Sequence, residues 1–468
     1  MSVSSAVSRH VDVAVLGAGT AGLAAYRAAF AVTPNVVLVE GGVYGTTCAR
    51  VGCMPSKLLI AAAEAAYHAH HADPFGVHCD VRVDGREVMA RVRGERDRFV
   101  GFVLDSVDRI PAEHRLQARA RFVGPRRIEA GDELIEAKSV VIATGSSPLV
   151  PPFFEAVSDR LVVNDDVFAW ETLPASVVVF GTGVIGLEIG QALHRLGVRV
   201  RVFGRRGTVG PLTDPTVRAA ATELFRGEFP LQTDADARVH EIRHGGDGVI
   251  VTFEGDDGTA CKETFAFALI AAGRRPNVAG LGLESTGVVC DKAGIPRFDR
   301  TTLQCGDTPI FIAGDVNADV PLLHEAADEG TIAGENAARY PNVQAGQRRT
   351  SLVIMFTDPQ IAVVGPGWKA LLERGNVAVG EVSFADQGRS RVLLQNRGIG
   401  RVYADQTTGQ FLGAELLGPR AEHLAHLLAW AHQQSLTVAQ MLALPFYHPV
   451  IEEGLRTALR DVSQKLVH

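Results

Sequence analysis

The stretch HVDVAVLGAGTAGLAA, residues 10–25, decides the fold. Val11–Leu16 reads as a buried strand running into a turn with Gly17, Gly19 and Gly22, and then an alanine-rich helix. The first two glycines permit a tight turn and close backbone approach to a pyrophosphate. The third lets helix and strand pack closely, with the helix N-terminus facing the phosphates. A glycine turn with no ligand is the competing reading. Against it, the next strand, NVVLVE, ends in Glu40, about 20 residues on, where a carboxylate meets ribose hydroxyls.

The pattern recurs. SVVVFGTGVIGLEIG, residues 176–190, presents a strand over Val177–Phe180, then Gly181, Gly183, Gly186 and Gly190, a helix, and a further strand, VRVRVF. The place of the ribose carboxylate falls on Gly204, followed by Arg205 and Arg206. An arginine there suits a 2′-phosphate and hence NADP, whereas four glycines so spaced suit NAD. The signals conflict; we read NAD, with NADP as the alternative. Two dinucleotide units in one chain fit one resident and one visiting cofactor, a flavin and a nicotinamide.

The chain has 468 residues, 46% of them apolar, enough for several domains with their own cores. A formal net charge of −7 and the lack of any basic stripe argue against a nucleic-acid partner. The start, MSVSSAVSRH, lacks the charged and apolar segments of a secretory signal. Glycine and glutamate break each apolar run before it reaches the roughly 18 residues of a membrane span, so no membrane association is expected. Six scattered cysteines suit a reducing compartment, which we read as the cytoplasm.

SVVIATGSSP at 139–148 is an apolar strand ending in a Thr-Gly turn, and the prolines after it mark a boundary near 150. FALIAAGRRPN at 267–277 closes the second nucleotide unit in the same manner, and TPIFIAGDV at 308–316 is another buried strand ending at Asp315. That aspartate sits where open α/β sheets place ligand groups, or it merely starts a helix. HEAADEGTIAGENAA has the apolar spacing of a helix. From about 349 the fingerprints cease, and SLVIMFTDPQIAVVG and FLGAELLGP read as antiparallel strands mixed with helices such as AEHLAHLLAWAHQQ, ending in LPFYHPVIEEGLRTALRD. The fold class is therefore α/β, with two Rossmann-like dinucleotide-binding domains and an α+β C-terminal domain. The expected division is 1–149 and 274–348 for the flavin, 150–273 for the nicotinamide, and 349–468 for an interface.

TTCARVGCMPSK, residues 46–57, places Cys48 and Cys53 ahead of a proline and a lysine. Zinc sites bring cysteines two to four residues apart in sets of four ligands, and no second such pair exists, so no metal is expected. Two unconnected buried thiols are the plain reading. Yet Cys53, Pro55 and Lys57 read as the first turn of a helix continuing through LLIAAAEAAYHAH, a position that stabilises thiolates. Lys57 shares a helical face with Cys53, and Arg50 lies between the cysteines. Such a dithiol beside a flavin suits thiol–disulfide exchange followed by two-electron transfer.

These segments, in this order, resemble the flavin-dependent pyridine-nucleotide disulfide oxidoreductases over essentially the whole chain, and the dihydrolipoamide dehydrogenases most. The resemblance implies FAD, NAD and oxidation of dihydrolipoamide through a Cys48–Cys53 redox disulfide. Cys48 would be the interchange thiol that meets the dithiol, and Cys53 the thiol beside the flavin. Lys57 and Glu188 would form an ion pair near the flavin. Glu40, Gly41, Ala120, Gly145, Asp315 and Leu323 would contact FAD; Gly181, Gly183, Gly186, Val239 and Gly273 would hold the nicotinamide dinucleotide. His448 would be the acid/base, as imidazole suits proton shuttling near neutral pH, with Glu453 as its partner and Glu452 as competitor. A homodimer is implied, with His448 of one chain reaching the cysteines of the other. The partners would be a small dithiol or disulfide, including lipoyl groups on a carrier protein.

The pattern also departs from the family. Gly45-Thr46-Thr47 stands for the usual Gly-Gly-Thr, Arg50 for an asparagine, and Phe446-Tyr447-His448-Pro449-Val450 for His-x-His-Pro-Thr. The terminal SQKLVH lacks the cysteine pair of mercuric reductases, and Pro55-Ser56-Lys57 differs from the Pro-Lys-Lys of glutathione reductases. An NADPH-dependent reductase of another disulfide is the alternative, and a redox sensor without turnover a third.

Overall fold

The computed structural model describes residues 7–246 and 248–467. The chain divides into two compact units. The first comprises Met1–Pro55, Val92–Leu149 and Arg274–Arg348; the second comprises Ser56–Arg91, Val150–Gly273 and Arg349–His468.

In the first unit a seven-stranded sheet runs in the order Arg115–Gln117, Val36–Glu40, Val7–Leu16, Glu133–Ile142, Arg127–Ala130, Ala120–Gly124, with Ile310–Ile312 beside the end of Glu133–Ile142. Its central strands are parallel, and their valines and isoleucines are buried in succession because both faces are covered. The first strand starts at Val7, before the expected Val11, because its early residues pair with 133–137. Helix Thr20–Phe30 packs on helix Leu323–Arg339. Their approach is set by Gly330 and Gly334: a Cβ at either would lie 2.2 Å from the carbonyl oxygen of Ala21 or Ala25, respectively.

In the second unit five parallel strands follow the order Leu231–Gln232, Arg199–Phe203, Ser176–Phe180, Phe267–Ile270, Leu161–Val162. Helix Val184–Arg195 follows the glycine turn. A three-stranded antiparallel sheet, Val239–Gly245, Gly248–Glu254 and Ala260–Phe265, lies beside them and was not foreseen from sequence. The C-terminal part is a five-stranded antiparallel sheet in the order Leu352–Met355, Gln360–Val364, Phe411–Gly418, Ile399–Asp405, Val377–Ser383, backed by helices Ala421–Gln433 and Glu453–Ser463. Two parallel sheets opened by glycine turns and an α+β C-terminal part match the expected fold class.

Buried charges join the parts of this second unit. Arg195, with a side chain 3% exposed, meets Glu228 at 2.5 Å and Asp358 at 3.0 Å and stacks 3.7 Å over the ring of Tyr67. Asp214 caps helix Pro215–Glu228 and receives the hydroxyl of Tyr403 at 3.0 Å. Among the described residues, no helix is long and apolar enough to cross a membrane, and no group of three or more His, Cys, Asp and Glu could hold a metal ion.

Candidate active site

The first glycine turn has the geometry expected of a dinucleotide cradle. Gly17 has φ +106, and a Cβ there would lie 2.3 Å from the Ala143 oxygen; one at Gly22 would lie 1.8 Å from the Gly17 oxygen. Both positions therefore admit only glycine. At Gly19 a Cβ would meet nothing within 4 Å, which leaves the open cradle a diphosphate needs. Glu40 accepts from the backbone N–H groups of Ala18 at 2.6 Å and Gly42 at 2.7 Å, so its carboxylate is aimed at the glycine turn. Gln117 donates to the carbonyl oxygens of Glu40 and Gly42 and so fixes the segment after the strand. Gly41 packs on Arg119, with Ala120 one residue beyond, at the start of its strand.

Two further turns of this unit are cross-linked. Gly145, at φ +67, accepts from the Asn277 N–H, and the Asn277 side chain joins Thr144 and Ser147. Ser146 donates to Asp315 at 2.7 Å and accepts from Arg274, which makes the Thr-Gly and Gly-Arg-Arg-Pro-Asn turns one polar assembly. Glu329, fully buried, accepts from the Gly314 N–H and the Asn317 amide at 2.7 Å each, and burial chiefly pushes its carboxyl upward. It positions the Gly314–Asp315 turn. Leu323 opens helix Leu323–Arg339 and is exposed. Asp315 and Gly145 were named from the sequence; the supports Gln117, Ser146, Asn277 and Glu329 were not, although Ser146, Asn277 and Glu329 lie within the stretches quoted.

The cysteines sit on consecutive short turns of chain. Cys48 lies in helix Thr47–Val51 and is half-buried; Cys53 opens helix Cys53–His70 and is exposed. Their thiols share a hydrogen bond, which more than any other cause pushes the Cys48 thiol far above its ordinary range; burial adds to it. The flanking positive charge was expected to lower both thiols. For Cys48 the hydrogen bond to the partner sulfur, together with burial, pushes the other way.

In the second unit the nucleotide turn repeats the geometry. A Cβ at Gly181 would lie 2.1 Å from the Ala271 oxygen and one at Gly186 2.0 Å from the Gly181 oxygen, while Gly183 and Gly273 face open space. Both cradles thus fit a dinucleotide. Val239 begins a strand at the turn out of Ala235–Arg238. Lys57 Nζ meets Glu188 at 2.7 Å and lies 4.6 Å over the ring of Phe356. Glu188, with only 3% of its side chain exposed, also accepts from the Phe356 N–H at 2.8 Å. His448 is exposed, and its Nδ1 lies 3.0 Å from a Glu453 carboxylate oxygen; this hydrogen bond is the main reason the Glu453 carboxyl is lowered. Glu453 also accepts from the Val450 N–H, which leaves Glu452 as the residue capping the helix.

Residues 11–330 match the pyridine nucleotide-disulphide oxidoreductase family, and residues 352–459 match its dimerisation domain. Dihydrolipoyl dehydrogenase of Halobacterium salinarum is 31% identical, with 99% of this chain and 98% of the relative covered. That of Thermus scotoductus is also 31% identical, covering 98% of each. Among solved structures, LpdA from Mycobacterium tuberculosis superposes with a TM-score of 0.81 at 26% identity, covering 97% of this chain and 99% of that one. A flavoprotein disulfide reductase, RclA from Escherichia coli, shares the fold with a TM-score of 0.79 at 22% identity, covering 95% and 98%. With two glycine cradles, a contacting thiol pair and a family match spanning most of its length, the chain belongs to the pyridine nucleotide-disulphide oxidoreductases.

Proposed function

We propose that this protein oxidises dihydrolipoyl dithiols, free or carried on a protein, and passes the electrons to a nicotinamide dinucleotide. The observation that carries this reading is the placement of Cys48 and Cys53 on adjoining helices, Thr47–Val51 and Cys53–His70, with their side chains sharing a hydrogen bond, an arrangement suited to a redox disulfide. The named relatives, similar over nearly the full chain, support the same substrate.

His448, held by Glu453, takes the proton of the incoming thiol. The resulting thiolate attacks Cys48 in the Cys48–Cys53 disulfide, a mixed disulfide forms, and Cys53 leaves as a thiolate. The second thiol of the substrate loses its proton and attacks the mixed disulfide, so the cyclic disulfide departs and Cys48 accepts a proton. The upward shift of Cys48 suits that last role, for it favours the protonated thiol there. Lys57 and Glu188 hold each other so that the ammonium stays fixed. The first glycine turn with Glu40 would hold FAD, which would supply a two-electron acceptor for the dithiol, and Gly181, Gly183 and Gly186 would hold the nicotinamide dinucleotide that would take the pair as hydride. The dimerisation-domain match of residues 352–459 supports a homodimer, and in the proposed site His448 of one chain reaches the cysteines of the other. A reducing cytoplasm suits the scattered cysteines.

Steady-state turnover of dihydrolipoamide tests the reading. Cys48→Ser should abolish it, while Cys53 still produces the long-wavelength absorbance of a thiolate beside the flavin. Full dithiol turnover in Cys48→Ser, or none in the unaltered enzyme with either nicotinamide dinucleotide, overturns it.

A further inference from the structure

We infer that the second nucleotide cradle selects a nicotinamide dinucleotide bearing a 2′-phosphate, with Arg205 and Arg206 reading that phosphate and Thr182 excluding a ribose carboxylate. The inference rests on the reading of this cradle as the nicotinamide site and names which nicotinamide dinucleotide it takes.

The two cradles can be placed in register by their own hydrogen bonds. In the first, the N–H of Gly17 donates to the oxygen of Val39 at 2.7 Å, and the next residue is Glu40. In the second, the N–H of Gly181 donates to the oxygen of Phe203 at 2.7 Å, and the next residue is Gly204. Gly204 is therefore the structural counterpart of Glu40, and Thr182 that of Ala18. Where Glu40 bends its carboxylate onto the Ala18 N–H, the second cradle has Gly204, and that position has no room for an acid. A Cβ on Gly204 would lie 2.4 Å from both Cγ2 and Oγ1 of Thr182. Thr182 cannot readily yield: it is 2% exposed, its hydroxyl lies 3.1 Å from that of Thr208, and its carbonyl oxygen accepts from the Gly210 N–H at 2.7 Å.

Just past Gly204, an anchored turn presents two exposed arginines. The Gly204 N–H donates to Gln232, its oxygen accepts from Ala235, and the Gly207 N–H donates to Thr233, at 2.6, 2.7 and 2.8 Å. The turn is thus formed before any ligand arrives, and guanidinium groups on it bind a phosphate through charge-assisted, bidentate bonds. A carboxylate at this place accepts the hydrogen bonds of ribose hydroxyls and repels a 2′-phosphate; its replacement by arginines reverses both preferences.

The fourth glycine, which in the sequence spoke for NAD, has another cause. A Cβ on Gly190 would lie 3.2 Å from Val202 and 3.8 Å from Val179, so this glycine serves the packing of helix on sheet. It makes no statement about the ribose.

Calorimetry on the FAD-loaded protein tests this without turnover, with adenosine 2′,5′-bisphosphate and adenosine 5′-monophosphate as probes. The bisphosphate should bind at least about tenfold more tightly, and the double variant Arg205→Ala/Arg206→Ala should bring the ratio close to one. A second variant, Thr182→Ala/Gly204→Glu, opens the space and restores the acid, and should turn the preference toward the monophosphate. Equal or tighter binding of the monophosphate by the unaltered protein overturns the phosphate assignment alone, as does a ratio that survives loss of both arginines. Failure of both probes to bind overturns the reading of the cradle itself, and with it the inference.

Discussion

Thr46 stands where the family usually carries glycine, with φ 57 and ψ 149, a combination almost confined to glycine. Its hydroxyl compensates in part by accepting from the Ala49 N–H at 3.3 Å. Strain of this kind costs about 1–3 kcal/mol, whereas replacing such a cap by glycine loses only a few tenths. Thr46→Gly should therefore raise stability by about 1 kcal/mol, seen as a higher midpoint in urea unfolding; a lower midpoint would show that the cap outweighs the strain. The substitution was visible in the sequence as a departure, but its cost was not, because backbone angles are set by the surrounding fold. The same holds for the thiols. Their setting at a helix start beside a nucleotide fingerprint pointed to redox chemistry, while the upward shift of Cys48 depends on where the other sulfur lies. Likewise, the resemblance implied Glu453 as the partner of His448, with Glu452 as competitor, and the folded chain puts the Glu453 carboxylate 3.0 Å from the ring.

Among the elements, the glycine turns were legible because each needs a particular residue at a particular step: positive φ at Gly17 and Gly181, and close approach at Gly22 and Gly186. The helix Leu323–Arg339 was also read from its apolar spacing, but not what it touches. Gly330 and Gly334 press against the backbone of helix Thr20–Phe30, roughly 300 residues earlier in the chain. Gly330→Val should cost about 3 kcal/mol, the upper end for overpacking, and should weaken FAD retention, since the displaced helix carries the first glycine turn. Calorimetric unfolding and the flavin content of the purified variant measure both effects; unchanged values would mean that the helices can part freely. The sheet of Val239–Gly245, Gly248–Glu254 and Ala260–Phe265 was missed despite a period-2 signal, with Val249, Val251 and Phe253 all buried.

At the scale of the whole molecule, each compact unit is assembled from segments far apart in sequence. In the second unit Arg195 is the clearest joint, buried between Glu228, Asp358 and the ring of Tyr67. Arg195→Ala would leave the Glu228 carboxylate without its cation and Asp358 with Arg397 alone. The expected loss is about 3–5 kcal/mol, read as a lower denaturant midpoint of that unit; a loss under about 1 kcal/mol would place the pair among surface ion pairs. The sequence by itself determined the two cradles, the thiol pair and the change of character near 349. Each of these is a local code, in which backbone angle, side-chain period or short spacing restricts the residues within a single turn. Only the tertiary structure decided that Thr182 closes the place of an acid, that Glu453 meets His448, that Arg195 is buried between carboxylates, and that Cys48 holds its proton. These are matters of distance between side chains, and a pair of charges or sulfurs acquires its energy from its separation and burial in the folded chain.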